Sequence, residues 1–584
     1  MSIVNDQSNQ EKEAAADKAV DAKFSRRKLL SVAGSAAVAG VFLGKSVSFA
    51  RQGNGVVDDV YGNLTNRLHG EARGIRRIME EIRQEYGHIP VNVKEFGAVG
   101  DGVTDDSQAF RDALDYVCSN HLTLVTDLGK TYIVDNIVVE GKSDFRLVFR
   151  GVLKRPDQLP ATNPQTRTLQ LNNCSNFVID EIRFDGNHLN NNCVVGGVYN
   201  TVYLQEFRHC LYLQNCRNAR FGKIHGKNPS GDVIYINGPN TYGLDFDEVE
   251  GISVDTDGVT PIALGRNTVS ICEGKQITFQ AVKSIGVGHV TMPGGFDIEP
   301  NWGEQVSDVY LNYLYVKSSS MSALGVTTKY GEGANIRNIE IGTVYIENDV
   351  AAPKRLLVIT GCTNVHLNRV YIKGTAESYA VHIGIAGNAQ PVYNLKFDSL
   401  EIDTCRYGVM ANHLNEGYMN VIVKQASENF LRLYNVANFD FDVRGSFNPL
   451  TAFPNQPVKN FCIYLYMAGT NYLSNCRFSG DLAKERVGNV AERCITANAS
   501  NGATQITNCE FTNINTDGWA EATKFVGQLT HTRKADFTRS NNLGASGMRP
   551  TANLMKGLFY YDTTINKPIW WNGTNWIDAT GTIV

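Results

Sequence analysis

Asn176-Phe177-Val178-Ile179-Asp180-Glu181-Ile182-Arg183-Phe184-Asp185-Gly186 is a unit that keeps returning along this 584-residue chain. It reads as an asparagine, a strand of alternating apolar residues, a turn and a second apolar strand. Near copies are Asn218-Ala219-Arg220-Phe221-Gly222-Lys223-Ile224-His225-Gly226 and Asn335-Ile336-Arg337-Asn338-Ile339-Glu340-Ile341. Others open at Lys275, Asn364, Asn394 and Gln505. Their spacing, roughly 20 to 35 residues or multiples of it, is that of a solenoid repeat. A single unit cannot bury its own apolar strands, so stacking of coils must supply the core. From Thr123 onward no long helical pattern returns, and the repeat runs to about residue 541. The expected fold is therefore all-β, a solenoid over residues 91–541.

The repeat is preceded by Val91-Asn92-Val93-Lys94-Glu95-Phe96-Gly97-Ala98-Val99-Gly100-Asp101-Gly102-Val103-Thr104-Asp105-Asp106-Ser107, a strand, a glycine-rich turn and a helix start. Asp105 or Asp106 is placed to cap a helix over Ser107–Ser119, with Phe110, Leu114 and Val117 on its inner face. This run resembles the N-terminal segment of the pectate-lyase-like superfamily, whose members are right-handed parallel β-helices with a short helix plugging the open end. The resemblance implies that fold and says little about the reaction.

Composition narrows the partners. Lys and Arg number 55 against 59 Asp and Glu, a net charge of −4, so no basic footprint marks the chain for nucleic acid. The twelve Cys show no CxxC pair and no zinc-ligand spacing with His. Several follow Asn at the same point of a repeat, as in Asn173-Cys174, Asn215-Cys216, Asn475-Cys476 and Asn508-Cys509. They read as small buried hydrophobes.

Both ends differ from the solenoid. Residues 1–50 carry Phe24-Ser25-Arg26-Arg27-Lys28-Leu29-Leu30, a weakly apolar run and Ser48-Phe49-Ala50, and resemble a twin-arginine export signal; the other reading is an anchor segment. Residues 51–90 read as a linker with a short amphipathic helix, Ile75, Ile78 and Ile82 forming its seam. Residues 542–584 hold Gly557-Leu558-Phe559-Tyr560-Tyr561-Asp562 and Trp570, Trp571 and Trp576 among Asn-Gly and Asn-Lys-Pro turn signals. This tail resembles the small C-terminal module of many bacteriophage tail fibres and tailspikes.

Candidate chemistry centres on Gly294-Gly295-Phe296-Asp297-Ile298-Glu299-Pro300-Asn301-Trp302. Alternation sends Phe296 and Ile298 inward and both carboxylates outward, about 7 Å apart along the strand. Aligning inward pairs places Ile234 and Ile236, Val269 and Ile271, Phe296 and Ile298, then Val326 and Thr328 on successive coils. One outward ladder then carries Tyr235, Ser270, Asp297 and Thr327, and the other Asn237, Cys272, Glu299 and Lys329. Asp232, Arg266, Asn267, His289, Trp302 and Tyr330 flank them.

Asp297 and Glu299, with Asp232 as a third carboxylate, are the expected catalytic groups of a glycoside hydrolase. Tyr235, Asn237, Arg266, Asn267, His289, Trp302, Lys329 and Tyr330 are the expected sugar-binding set, amides and cations for hydroxyls or uronates and aromatics for pyranose faces. β-Elimination is the rival chemistry, with Lys329, Arg266, His289 or Tyr330 as base. Lyases of the resembled superfamily use Ca²⁺ held by carboxylates, a constellation without a residue-by-residue match here, and no other metal or cofactor is expected. A solvated strand face is the plainer reading of any one of these carboxylates taken alone.

The resemblance implies a tailspike-type depolymerase cleaving a bacterial capsule or exopolysaccharide, a homotrimer on a phage tail or baseplate. The alternatives are an exported bacterial lyase, hydrolase or epimerase, secreted or periplasmic by the twin-arginine route, and a non-catalytic glycan-binding adhesin or fibre.

Overall fold

The computed structural model describes most of residues 90–447, shorter stretches between 461 and 531, and most of 543–584. The expected export signal and amphipathic helix, together with Cys509, His289, Lys329 and Tyr330, lie outside the described residues.

Helix α1 (Ser107–Ser119) buries Phe110, Ala113, Leu114, Val117 and Cys118. Phe110 meets Tyr132 and Phe149 edge-on at 5.3 and 5.7 Å between ring centroids, so the helix closes the core at this end. The two aspartates before it divide the work. Asp105 accepts from the Ser107 N–H at 2.9 Å. Asp106 holds the N-cap position but caps nothing in the helix; it turns back to accept from the Val99 and Gly100 N–H groups at 2.7 and 3.1 Å. It thereby pins the glycine-rich turn.

From there the chain winds as a right-handed parallel β-helix. Seven strands in chain order carry the face of interest: β1 (Leu169–Asn172), β2 (Leu211–Gln214), β3 (Ile234–Asn237), β4 (Val269–Ile271), β5 (Phe296–Ile298), β6 (Leu324–Thr327) and β7 (Arg355–Thr360). Each pairs in parallel with the next. Two longer runs continue the winding, β8 (Cys362–Ile383) and β9 (Val392–Phe447). Between them return strands such as Arg217–Lys227, Tyr242–Ile252 and Gly274–Ile285 stack into a second parallel face.

The inward residues make one continuous apolar core. A phenylalanine column runs through it. Phe221, Phe246 and Phe279 stack at 4.3 and 4.4 Å with interplanar angles of 8° and 6°, and Phe296 ends the column edge-on to Phe279 at 5.1 Å. The apolar half of β5 is thus fixed by packing alone.

The corners explain the recurring asparagines. Asn173, Asn176, Asn215, Asn218, Asn338, Asn364, Asn394, Asn438 and Asn475 all have positive φ, between 50 and 57°. Asn visits this left-handed region far more readily than β-branched or bulky residues do. Several also hydrogen-bond the next coil: Asn364 Nδ2 donates to Asn338 Oδ1 at 3.0 Å, and Asn394 Nδ2 to Asn364 Oδ1 at 2.9 Å. Cys174, Cys216 and Cys476 follow such corners as buried free thiols; the Cys216 Sγ lies 3.2 Å from the Leu171 carbonyl.

The C-terminal residues form a separate four-stranded sheet, β10 (Leu543–Gly544), β11 (Phe559–Asp562), β12 (Lys567–Trp571) and β13 (Trp576–Asp578). Tyr560, Ile569 and Trp576 are its core, with Trp571 and Val584 packed against them. Arg549 pairs with the buried Asp562 at 2.6 Å and ties the segment before the sheet to it.

Candidate active site

The outward face of β3–β6 gathers the groups expected to act. In register, Tyr235 faces Ser270, Ser270 faces Asp297, and Asp297 faces Gly325. The first three coils match the sequence alignment. The fourth is displaced by two residues: Leu324 and Val326, not Val326 and Thr328, oppose Phe296 and Ile298. Thr327 therefore continues the ladder of Glu299 toward Thr360, in the place expected of Lys329. A slip of two leaves every side chain on its own face, so alternation alone could not detect it.

That displacement gives Asp297 its position. A Cβ on Gly325 would lie 2.4 Å from Asp297 Oδ1, so the carboxylate leans over the glycine and lies against the sheet. Asp297 is consequently only 2% exposed, a buried group and not a solvated one. Gly325→Ala should displace this carboxylate while leaving the inward Leu324 and Val326 in place. A misplacement of about 1 Å costs on the order of 10²-fold in rate, which reducing-end assays on the folded variant would register.

Arg266 is the centre of the cluster. Its Nη2 lies 3.7 Å from Glu299 Oε2 and its Nε 3.9 Å from Asp232 Oδ1, with the side chain only 15% exposed. Burial works against its charge, but Asp232, Cys272, Asp297 and Glu299 outweigh it and hold the guanidinium pKa above its ordinary value. Asp232 is fully buried at the turn before β3. Its Oδ1 accepts the Asn267 N–H at 2.9 Å, and Asn267 Nδ2 donates to Ser270 Oγ at 2.8 Å.

Three residues absent from the sequence reading complete the wall. His209 Nδ1 stands 3.0 Å from Asp232 Oδ2 and 3.2 Å from the Asp232 N–H. With the proton on Nδ1 it donates to the carboxylate; with Nδ1 bare it accepts from the amide. Burial lowers the His209 pKa, against the opposing pull of Asp232, which favours the neutral ring. Its imidazole stacks on Tyr235 at 4.4 Å, Tyr235 is nearly parallel to Tyr212 at 5.4 Å, and the Arg167 guanidinium sits 4.5 Å over Tyr212. Extending the alignment one coil upstream of Ile234 pairs Leu211 with it and so sets His209 at the position of Asp232. That signal was present in the sequence.

The remaining expected residues are spread more widely. Burial and the neighbouring Cys272 push the Tyr235 phenol pKa up, and a hydrogen bond joins the two side chains. Asn237 is engaged by its neighbours, its Oδ1 accepting the Gly238 N–H at 2.6 Å and its side chain bonding Tyr212. Trp302 is 68% exposed on the turn after Glu299, free to offer an indole face. Among the described residues no group of three or more His, Cys, Asp or Glu is arranged to hold a metal ion.

The chain is thus a parallel β-helix protein with a carboxylate–guanidinium cluster on one outward face. It is similar to polygalacturonase-2 of Solanum lycopersicum, 22% identical over 352 residues that cover 55% of this chain and 74% of that protein. An exopolygalacturonase of Arabidopsis thaliana is 25% identical over 236 residues, 36% of this chain and 51% of that protein. Among solved structures it resembles tailspike protein 3 of bacteriophage CBA120, with a TM-score of 0.29 and 13% identity, covering 86% of this chain and 70% of that one. The sequence matches no family model.

Proposed function

We propose that the protein is a polysaccharide hydrolase of the tailspike type, with Asp297 and Glu299 as its acid/base pair. The observation that carries this reading is the gathering of Asp232, Asp297 and Glu299 around a buried Arg266. Two positions apart on one strand edge, the outward pair is separated by about 7 Å, within the range that leaves room for a water between carboxylate and anomeric carbon in an inverting reaction. One carboxyl protonates the leaving oxygen while the other takes a proton from that water. Arg266 holds the pair in place and offsets their charge.

Elimination fits less well. A general base must release its proton near the working pH, and Arg266 is held firmly protonated by its carboxylate neighbours. Similarity to two proteins named as polygalacturonases supports a polysaccharide substrate. The tailspike setting, a bacterial capsule or exopolysaccharide as substrate, and a trimeric assembly rest on the aromatic C-terminal sheet and its resemblance to phage tail modules.

Incubation of the full chain with a panel of capsular and exopolysaccharides should release reducing ends without the ultraviolet absorbance of an unsaturated uronate. Appearance of that absorbance would establish elimination instead. Polymers bound but left intact would make the chain a glycan-binding fibre. A mature N-terminus beginning after residue 50 would favour the exported enzyme over the phage protein.

A further inference from the structure

Three coils beyond Asp297 the same outward ladder reaches His382, by way of Gly325 and Val358. At a strand spacing of about 4.8 Å, that is about 14 Å along the solenoid. Beside it lies a second cluster unlike the first, because its charges are positive. Tyr379 and Tyr407 are in register and stack at 4.8 Å and 27°. Arg432 Nη1 donates to the Tyr379 hydroxyl at 2.8 Å, and its guanidinium sits 5.9 and 5.7 Å from the two ring centroids. Arg406 lies 5.0 Å over Tyr407, and Arg355 stands opposite Tyr379 in the ladder.

His382 is the polar group of this face that points to a ligand. It is only 4% exposed, 5.6 Å from Tyr379, and neither ring nitrogen makes a well-formed hydrogen bond, although the Gly384 backbone acts weakly in favour of its charge. Burial, and then the positive charge of Arg355, lower its pKa to about 4, so at neutral pH it offers one donor and one acceptor. On the adjoining coils Thr360 Oγ1 and Asn412 Oδ1 are likewise buried without a partner. A buried polar group left unpaired costs roughly 1–3 kcal/mol, and three of them on one outward face fit a place where a polar ligand or water completes their hydrogen bonds.

We propose that Arg355, Tyr379, Tyr407, Arg432 and His382 form a distal subsite for a carboxylate-bearing sugar of the polymer whose backbone passes Asp297 and Glu299. Guanidinium groups match carboxylate geometry, the neutral histidine can bond a ring hydroxyl, and the tyrosines supply apolar surface to a sugar. The carboxylates around Arg266 would repel a second anionic unit at the cleavage point. The two clusters together select a chain whose acidic residue lies about 14 Å from the scissile bond. The polymer follows from the hydrolase reading above, but the subsite itself is a binding claim and can be tested alone.

The test is calorimetric binding of the full chain to oligosaccharides of polygalacturonate, alginate and hyaluronan, each beside its carboxyl-reduced form. At least one acidic series should bind tenfold or more tighter than its reduced counterpart. Arg355→Gln combined with Arg432→Gln should abolish that preference, lowering affinity for the acidic form at least tenfold more than affinity for the reduced form, and Arg355→Lys should restore part of it. Equal affinity for acidic and reduced forms, a preference indifferent to both arginines, or no acidic ligand bound would overturn the subsite. Reducing ends are scored in parallel. Arginine-dependent binding without cleavage sinks the hydrolase and leaves the subsite standing, whereas cleavage without the preference does the reverse.

Discussion

Asp297→Asn and Glu299→Gln should each lower kcat by about a hundred- to ten-thousandfold, the range lost when a positioned general acid or base is removed. Both replacements keep the shape of the carboxylate, so the buried contact of Asp297 over Gly325 and the approach of Glu299 to Arg266 survive. Circular dichroism should match the parent and melting should shift far less than for loss of Arg266, because Asp232 still faces the guanidinium, so the main loss is in reducing-end release. If both variants cleave at the parental rate, the chemistry belongs to another face.

Arg266→Met is expected to act on the fold as much as on the reaction. It removes the guanidinium that faces Asp232 and Glu299 and leaves the fully buried Asp232 without that charge partner. Breaking a buried ion pair from one side costs about 3–5 kcal/mol, because the remaining charge stays desolvated. Thermal melting should show a clear loss, with Arg266→Lys intermediate because a point charge replaces the fork. Adding Asp232→Asn to Arg266→Met should recover part of the stability, and strict additivity of the two changes would show that they do not interact.

The architecture was legible because every coil repeats the same physical demand. Inward pairs such as Ile234 with Ile236 and Phe296 with Ile298 must be apolar wherever coils stack, so alternation and spacing suffice. The register failed at Leu324-Gly325-Val326, where a glycine at the outward position erased the contrast that alternation needs. The burial of Asp297 was hidden for the same reason, since it follows from the missing side chain next door.

The site was legible in part. Asp297 and Glu299 announced themselves by facing outward between coils that carry Ser270 and Cys272 at the matching places. His209 shows only when the alignment is carried one coil upstream, because it sits in the turn before its strand and alternation does not single it out. Nor could spacing reveal that Arg266, about thirty residues before Glu299 in a coil of typical solenoid length, would reach two acids from adjacent coils at once. Corner residues meet through the stacking of turns, and turn lengths vary from coil to coil.

The phenylalanine column has a bearing on how such a protein changes its diet. Phe221, Phe246, Phe279 and Phe296 occupy the inside of the coils whose outside bears the carboxylates. The apolar inner positions carry most of the stability and the alternate outward positions can vary more freely, the buried ionic cluster around Arg266 being the exception. Outward residues on the strands can therefore be exchanged rung by rung while the apolar inner set goes on holding the coils together.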